Sequence, residues 1–466
     1  MTKTKKLRKQ NNIGGKVLAS GGYGCVFAPA LKCQNTKRRD THKISKLMTE
    51  KHAVQEYQEI QKIRKKLDGI PNYKQYFLVY DAALCRPDKL TDSDLTAFSE
   101  KCTALPKDHI TKANVNSKLN EVMMLNLPNG GLPVDDYVFS NGDYYKLYRT
   151  HQSLVQLLKK GILPMNRKNI YHSDIKDSNV LIEDHDNGHL TTRLIDWGLT
   201  VAYNPSEPNF PKNWRNRPLQ FNVPFSVILF TDLFDKNYSA YLKEGGDLTH
   251  AKLRPFVISY FNEWIKERGA GHYKFINEIM FLLYNHSLTS MSETAKPPIV
   301  ETEITMPYII DYIVDVLVHY TRFKKDGTFS LRDYLNQVYV KIVDIWGFIT
   351  AYYPMLEMFS DNYFSLNANE MRIFNQIRHL YSEYVYNPRH TPIPLDALFR
   401  DLDMLGELLK KESRHKPKTR YVTTDAPRDL ASGFKTRKLH NHSSSSIFKR
   451  RKMVKRFKRP FLLELK

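Results

Sequence analysis

The sequence predicts an α+β fold in two lobes, the first small and rich in strands, the second large and mostly helical. Two observations predict it. Segments with the strand period of two cluster with a single helical stretch before residue 131, whereas helical periodicity dominates after about residue 225. The chain's 466 residues, 41% hydrophobic and 26% charged, suffice for two or three packed units of ordinary globular composition.

The elements follow in order. "GGKVLASGGYGCVFAPAL" reads as strand, glycine turn, strand, and "THKISKLM" as the next strand. "TEKHAVQEYQEIQKIRKKL" sets Ala53, Ile60, Ile63 and Leu67 at helical spacing. "QYFLVYDAAL" and "EVMMLNLP" read as two more strands separated by a polar loop of about 30 residues. "DYYKLYRTHQSLVQLLKKGI" is an amphipathic helix, and "NVLIED" and "TTRLIDWGL" form a hairpin around "HDNGH". The expected divisions are a basic tail at 1–14, a first lobe at 15–131, the start of the second lobe at 132–226, a helical insertion at 227–339, the rest of the second lobe at 340–410, and a basic, serine-containing tail at 411–466.

The charge is uneven. Residues 1–12 hold five Lys/Arg and no acid, and residues 411–466 hold 18 Lys/Arg against four acids, so the ends carry +19 of the net +22. Such tails attract phosphates, which makes nucleic acid a candidate partner, and "KRRKMVKRFKR" would equally serve as a nuclear-import signal. Four cysteines, Cys25, Cys33, Cys85 and Cys102, are too few and too scattered for a disulfide framework and lack C-x-x-C metal spacing, so a reducing, intracellular compartment is expected. No segment approaches the ~18 apolar residues of a membrane helix, and the basic N-terminus lacks the apolar run of a signal peptide.

Three stretches carry chemistry. In "LASGGYGCV", Leu18 to Val26, glycines at 21, 22 and 24 allow close approach to phosphate oxygens, with Ala19, Ser20, Tyr23 and Cys25 completing the loop. Lys46, on the following strand, can pair with phosphates. A helix follows at once, and either Glu56 or Glu59 on it can hold that lysine. In "IYHSDIKDSNVLI", Asp174, Lys176 and Asn179 form D-x-K-x-x-N, and "LIDWGL" brings Asp196 shortly after. Phosphoryl transfer needs a carboxylate for the incoming hydroxyl, a cation at the transferred phosphate, and acid and amide ligands for Mg²⁺. Asp174, Lys176, and the pair Asn179 and Asp196 supply these in order.

Together these segments resemble the protein-kinase signature set: glycine loop, strand lysine, helix glutamate, catalytic loop and metal-binding D-x-G. The resemblance covers about residues 15–225 and resumes at "KIVDIWGFITAYYPML", where it implies that Asp344 braces the catalytic-loop backbone. "SGGYGCVF", "LNLPNGG", "HSDIKDSNVLI" and "NRPLQFNVPFS" resemble, more narrowly, kinases encoded by large nucleocytoplasmic DNA viruses. The resemblance implies ATP and Mg²⁺ as cofactors, a protein Ser/Thr acceptor, and a location in host cytoplasm or nucleus or packaged in a virion. The sequence also departs from the family pattern. Ala19 replaces a glycine. Ser173 stands where many regulated kinases have Arg, which implies activity without activation-loop phosphorylation. Trp197 replaces Phe, and no A-P-E follows, only "NVPFS" with Pro224. The hinge register within Asn126–Gly131 stays open, since Pro128 has no N–H to offer a base. A pseudokinase scaffold, or a kinase fold acting on a non-protein acceptor, are the alternatives.

Overall fold

The computed structural model describes residues 15–415 apart from 141–142, 186–187, 208, 324–328 and 388–389. Both basic tails expected at 1–14 and 411–466 therefore lie outside the described residues, except 411–415. The architecture is α+β: a small antiparallel sheet and a large helical remainder. The described chain forms two units, one of residues 15–68 and 77–130, the other of 69–76 and 131–415. The eight residues at 69–76 thus leave the expected first lobe for the second unit. No helix among the described residues is long and apolar enough to cross a membrane.

The first unit is built on five antiparallel strands: β1 (Lys16–Ser20), β2 (Gly24–Ala28), β3 (Lys43–Thr49), β4 (Ala83–Cys85) and β5 (Val122–Pro128). Their order is β1-β2-β3-β5-β4. Helix α1 (Glu50–Leu67) follows β3 directly, burying Ala53, Ile60 and Leu67. Arg64, Lys65 and Lys66 in its last turn oppose the negative end of the helix dipole. "QYFLVYDAAL" yields only the short β4, although Phe77, Leu78 and Val79 are buried.

Two expectations fail here. The stretch between β4 and β5 is not a simple polar loop. Its Leu90, Leu95, Phe98, Leu105, Ile110 and Val115 pack with Val17, Phe27, Leu47, Val122 and Met124 into one core. Their irregular spacing has neither helical nor strand period, which hides them from pattern reading. Asp94 pins this layer, taking two bonds of 2.6 Å from the Arg39 guanidinium. The four cysteines also pair, as Cys25–Cys102 and Cys33–Cys85, with Cα atoms 5.3 and 5.8 Å apart. Sequence separations of 77 and 52 residues concealed partners that the sheet and its covering layer bring together. With no free cysteine among the described residues, the cysteines no longer argue for a reducing compartment.

In the second unit, α2 (Tyr144–Gln156) starts at Asp143, whose side chain accepts the Tyr145 amide. The hairpin of β6 (Val180–Asp184) and β7 (Leu190–Leu194) is antiparallel, with Val180, Leu181 and Ile182 all buried. After it come α3 (Asp232–Lys243), α4 (His250–Arg268), α5 (Tyr273–Tyr284), α6 (Met306–Tyr320), α7 (Val340–Thr350), α8 (Tyr353–Asp361), α9 (Ala368–Tyr381) and α10 (Leu395–His415). Helix α7 is buried on all sides, Val343, Ile345, Trp346, Phe348 and Ile349 being at most 3% exposed. The helical path runs unbroken from Arg332 through 339 into α7, so the expected insertion boundary at 339 falls inside a helix. Helix α10 likewise continues past residue 410 to His415.

Candidate functional site

In the first unit, antiparallel register sorts the glycine-loop residues by face. Val26 lies opposite Lys46, and Ala19 opposite Val26, so these three share a face. Cys25 lies opposite Leu47 and Ser20 opposite Cys25, on the other face. Ser20 and Cys25 are therefore structural members of the loop. Cys25 is in a disulfide, and the Ser20 hydroxyl accepts the Thr103 and Ala104 amides at 3.1 and 3.0 Å. Leu18 sits at the register shift of β1 and is half-buried.

The glycines differ in purpose. A Cβ on Gly24 would lie 2.3 Å from Met48 Cγ and 2.6 Å from the Leu47 carbonyl oxygen, so Gly24 serves the close packing of β2 on β3. That packing by itself requires glycine at 24. A Cβ on Gly21 would lie 3.9 Å from Lys46 Nζ, which makes Gly21 the glycine that adjoins the ammonium. Gly22 has open space around it, and Tyr23 at the tip is exposed, its ring 4.5 Å from that of His52.

Lys46 Nζ reaches both carboxylate oxygens of Glu56, at 2.8 and 2.6 Å. Glu59 pairs instead with Gln55, one turn earlier on the exposed side. Asn126, first residue of the segment expected as a hinge, turns inward, accepting from the Ser45 hydroxyl at 2.6 Å. Asn129 donates its amide to the His42 carbonyl, which extends the β3–β5 pairing one residue past Pro128.

In the second unit, four of the expected residues form one buried cluster. Asp174 is 5% exposed and Lys176 9%. Lys176 Nζ donates to Asp174 Oδ2 at 3.2 Å. The Asn179 amide nitrogen donates to the same oxygen at 2.9 Å and to the Asp174 carbonyl at 2.8 Å. Asp344, on α7, accepts the His172 and Ser173 backbone amides at 2.9 and 2.8 Å, one on each carboxylate oxygen. Burial pushes the Asp344 carboxyl up to about 7, against these two bonds, which favour its charged form. Burial would also raise Asp174, but Lys176, the Asn222 hydrogen bond and Arg217 outweigh it and hold the carboxyl below its ordinary range.

Asp196 follows β7, and the preceding Ile195 donates its amide to the Asn179 carbonyl at 3.0 Å. The His172 ring, kept neutral by burial, bonds the Ile195 carbonyl at 3.0 Å and meets Trp197 edge-on at 4.8 Å. Ser173 and Asp196 both hold left-handed backbone, φ 61° and 64°. Non-glycine residues in that region cluster where function constrains the chain. Among the described residues no hydrogen bond or salt bridge engages the Asp196 carboxylate. Asn179 commits its NH₂ group to Asp174, which leaves its amide oxygen. One carboxylate and one amide oxygen form a hard-oxygen set that suits Mg²⁺.

Three residues of the cluster escaped sequence reasoning, all from "NWRNRPLQFN". Asn222 donates to Asp174 Oδ1 at 2.8 Å. The Trp214 indole donates to the Ser173 hydroxyl at 2.8 Å, and Arg217, 5% exposed, donates to the Ser173 carbonyl at 2.8 Å. An arginine does reach the Asp174 loop, therefore, from 44 residues downstream rather than from position 173. Where A-P-E is missing, aromatic packing holds the segment: Phe225 is fully buried with its ring T-shaped on Trp346 at 5.3 Å, and Trp346 donates to the Phe221 carbonyl. The one available signal was this run's mixture of Trp, Arg and Asn beside the D-x-G motif.

No family model matches the chain. No curated protein matches it either.

Proposed function

We propose that the chain is an ATP- and Mg²⁺-dependent protein kinase that transfers the γ-phosphate to Ser/Thr hydroxyls, with a kinase-like two-lobed fold. The observation that carries the reading is the buried Asp174 cluster. One carboxylate is held by Lys176, Asn179 and Asn222 on a loop whose backbone amides are pinned by Asp344. With its carboxyl held below the ordinary range, Asp174 is ionised at neutral pH and orients an incoming hydroxyl, accepting its proton as the O–P bond forms. Lys176 sits beside it as the cation for the transferred phosphoryl group. Lys46, fixed by Glu56, contacts the α- and β-phosphates. Asn179 and Asp196 are the residues that would hold Mg²⁺, which when bound neutralises phosphate charge.

Ser173 is held by Trp214 and by Arg217, whose buried guanidinium is already engaged by the Ser173 carbonyl and the Gln220 side chain. That supports activity without an activation-loop phosphate. The test is γ-phosphate transfer from Mg-ATP to a generic basic protein, run beside Asp174→Asn and Lys46→Met. Transfer that falls at least about 10³-fold in both variants is expected, a loss of roughly 4 kcal/mol of transition-state stabilisation. Transfer unchanged in either variant would refute the assignment. ATP binding with no transfer to any protein would favour a scaffold or a small-molecule acceptor.

A further inference from the structure

A second cluster of ligating side chains lies partly in the segment expected as an insertion. Asp315 and His319 lie one turn apart on α6, His250 opens α4, and His390 lies between α9 and α10. His390 Nδ1 is 2.9 Å from Asp315 Oδ2, His319 Nδ1 is 3.4 Å from Asp315 Oδ1, and His250 Nε2 is 3.9 Å from Asp315 Oδ1. The Asp315 side chain is only 13% exposed. The rings of His319 and His390 are parallel, 4° apart, with centroids separated by 3.8 Å. Asp315, His319 and His390 offer one ligand atom each within 4.8 Å of one another.

We infer that Asp315, His319 and His390 bind a divalent transition-metal ion, Zn²⁺ before others, with His250 as the nearest further donor. Imidazole and carboxylate suit zinc, which takes them at 2.0–2.2 Å in a tetrahedron. The edge of such a tetrahedron is about 3.3 Å, and the nitrogen-to-carboxylate distances of 2.9, 3.4 and 3.9 Å bracket it. Simple ion pairing explains the arrangement less well. Two imidazoliums stacked at 3.8 Å repel one another, and one carboxylate cannot neutralise both. A divalent cation among the three groups offsets the carboxylate without requiring either ring to be protonated. His319 Nδ1 also lies 2.8 Å from the Asp315 carbonyl, so metal binding there exchanges that contact for a coordinate bond. The ion would tie α4 and α6 to the segment that leads into α10, joining three stretches separated by 65 and 71 residues or more.

The inference stands apart from the proposed phosphoryl transfer, and its test needs none. The full chain is titrated with ZnCl₂ by calorimetry, and with CoCl₂ as an optical probe, beside His390→Ala, His319→Ala and the exposed control His189→Ala. One equivalent of Zn²⁺, weakened at least tenfold by His390→Ala and by His319→Ala but not by the control, is the expected result, with cobalt absorption characteristic of four-coordinate N/O ligation. His390→Ala removes a partly exposed loop side chain, so it keeps the test decisive should His319→Ala fail to fold. No binding in the wild type, or equal affinity in His390→Ala, overturns the site and leaves a carboxylate–histidine contact only.

Discussion

At the scale of single residues, Asn222 is the side chain with the sharpest expected consequence. Among the described residues its amide is one of three donors on the Asp174 carboxylate, and the only one contributed from outside the D-x-K-x-x-N loop. Losing a hydrogen bond to a charged group costs about 1.5–3 kcal/mol. Under the proposed function, Asn222→Ala should lower kcat roughly 10- to 100-fold, with little change in the KM for ATP. Steady-state transfer assays would read this, and a loss confined to KM would contradict an orienting role. Lys46 and Glu56 were legible at this scale because β3 and α1 are adjacent, so strand and helix phase decide which side chains meet. Asn222, Trp214 and Arg217 were not, because nothing local ties them to a loop 40 or more residues earlier.

At the scale of elements, three glycines separate close packing from free space. A Cβ on Gly347 of α7 would lie 2.7 Å from the Ile175 carbonyl oxygen and 3.2 Å from that of Asn222. Gly347→Ala should therefore push α7 away from the loop that Asp344 braces, destabilising the fold by about 1–3 kcal/mol. Gly24→Ala should destabilise the sheet by a similar amount, because Met48 and the Leu47 carbonyl leave no room. Gly22→Ala meets nothing within 4 Å and should stay within about 0.5 kcal/mol of wild type. Chemical denaturation of the three variants checks the ranking, and a Gly22→Ala as damaging as Gly24→Ala would break it. All three look alike in the sequence, since a glycine's neighbours across a sheet or between helix and loop are absent from its local pattern.

At the scale of the whole molecule, burial couples folding to pH. It holds the imidazoles of His151, His272 and His286 down to about 4. In the unfolded chain they titrate near 6.5. Between those values the unfolded state binds more protons, so stability is full above the ordinary value and lost as pH falls. Asp94 and Asp174, which burial would raise but whose partners hold low, add to the loss at lower pH. Asp344, Glu278 and Glu301, pushed up by burial, act in the opposite sense, keeping protons in the native state that the unfolded state releases. The buried His172 is lowered too, so four histidines face three raised carboxyls; the thermal midpoint should drop between pH 7 and 4.5, and His151→Gln should flatten that slope. The fully buried His151 contributes at most roughly 3 kcal/mol. A midpoint that rises on acidification would show that the carboxyls dominate.

The basic ends belong to this scale too. Glu412 on α10 is buried and accepts the amides of Asn367 and Asn369 at 3.0 Å each, so a truncation should begin after His415. Deleting 416–466 should abolish salt-sensitive binding to duplex DNA and leave transfer to a generic protein intact. DNA binding that survives the deletion would place the contact elsewhere.

Local period and spacing alone determined the succession of strands and helices around the D-x-K-x-x-N loop. They also determined the adjacency of Lys46 to a glutamate in the second turn of the following helix, and the separation of neutral body from basic ends. These depend on neighbours a few residues apart, which the chain's own geometry brings together. Only the tertiary structure decided the cysteine pairs, the covering layer between β4 and β5, and the donors that Trp214, Arg217 and Asn222 bring to the Asp174 loop. The convergence of Asp315 with three histidines belongs with these. Each of those contacts spans tens of residues and forms where distant segments return to the same place, and that return is settled by burial of apolar surface across the whole unit rather than by any local run of residues.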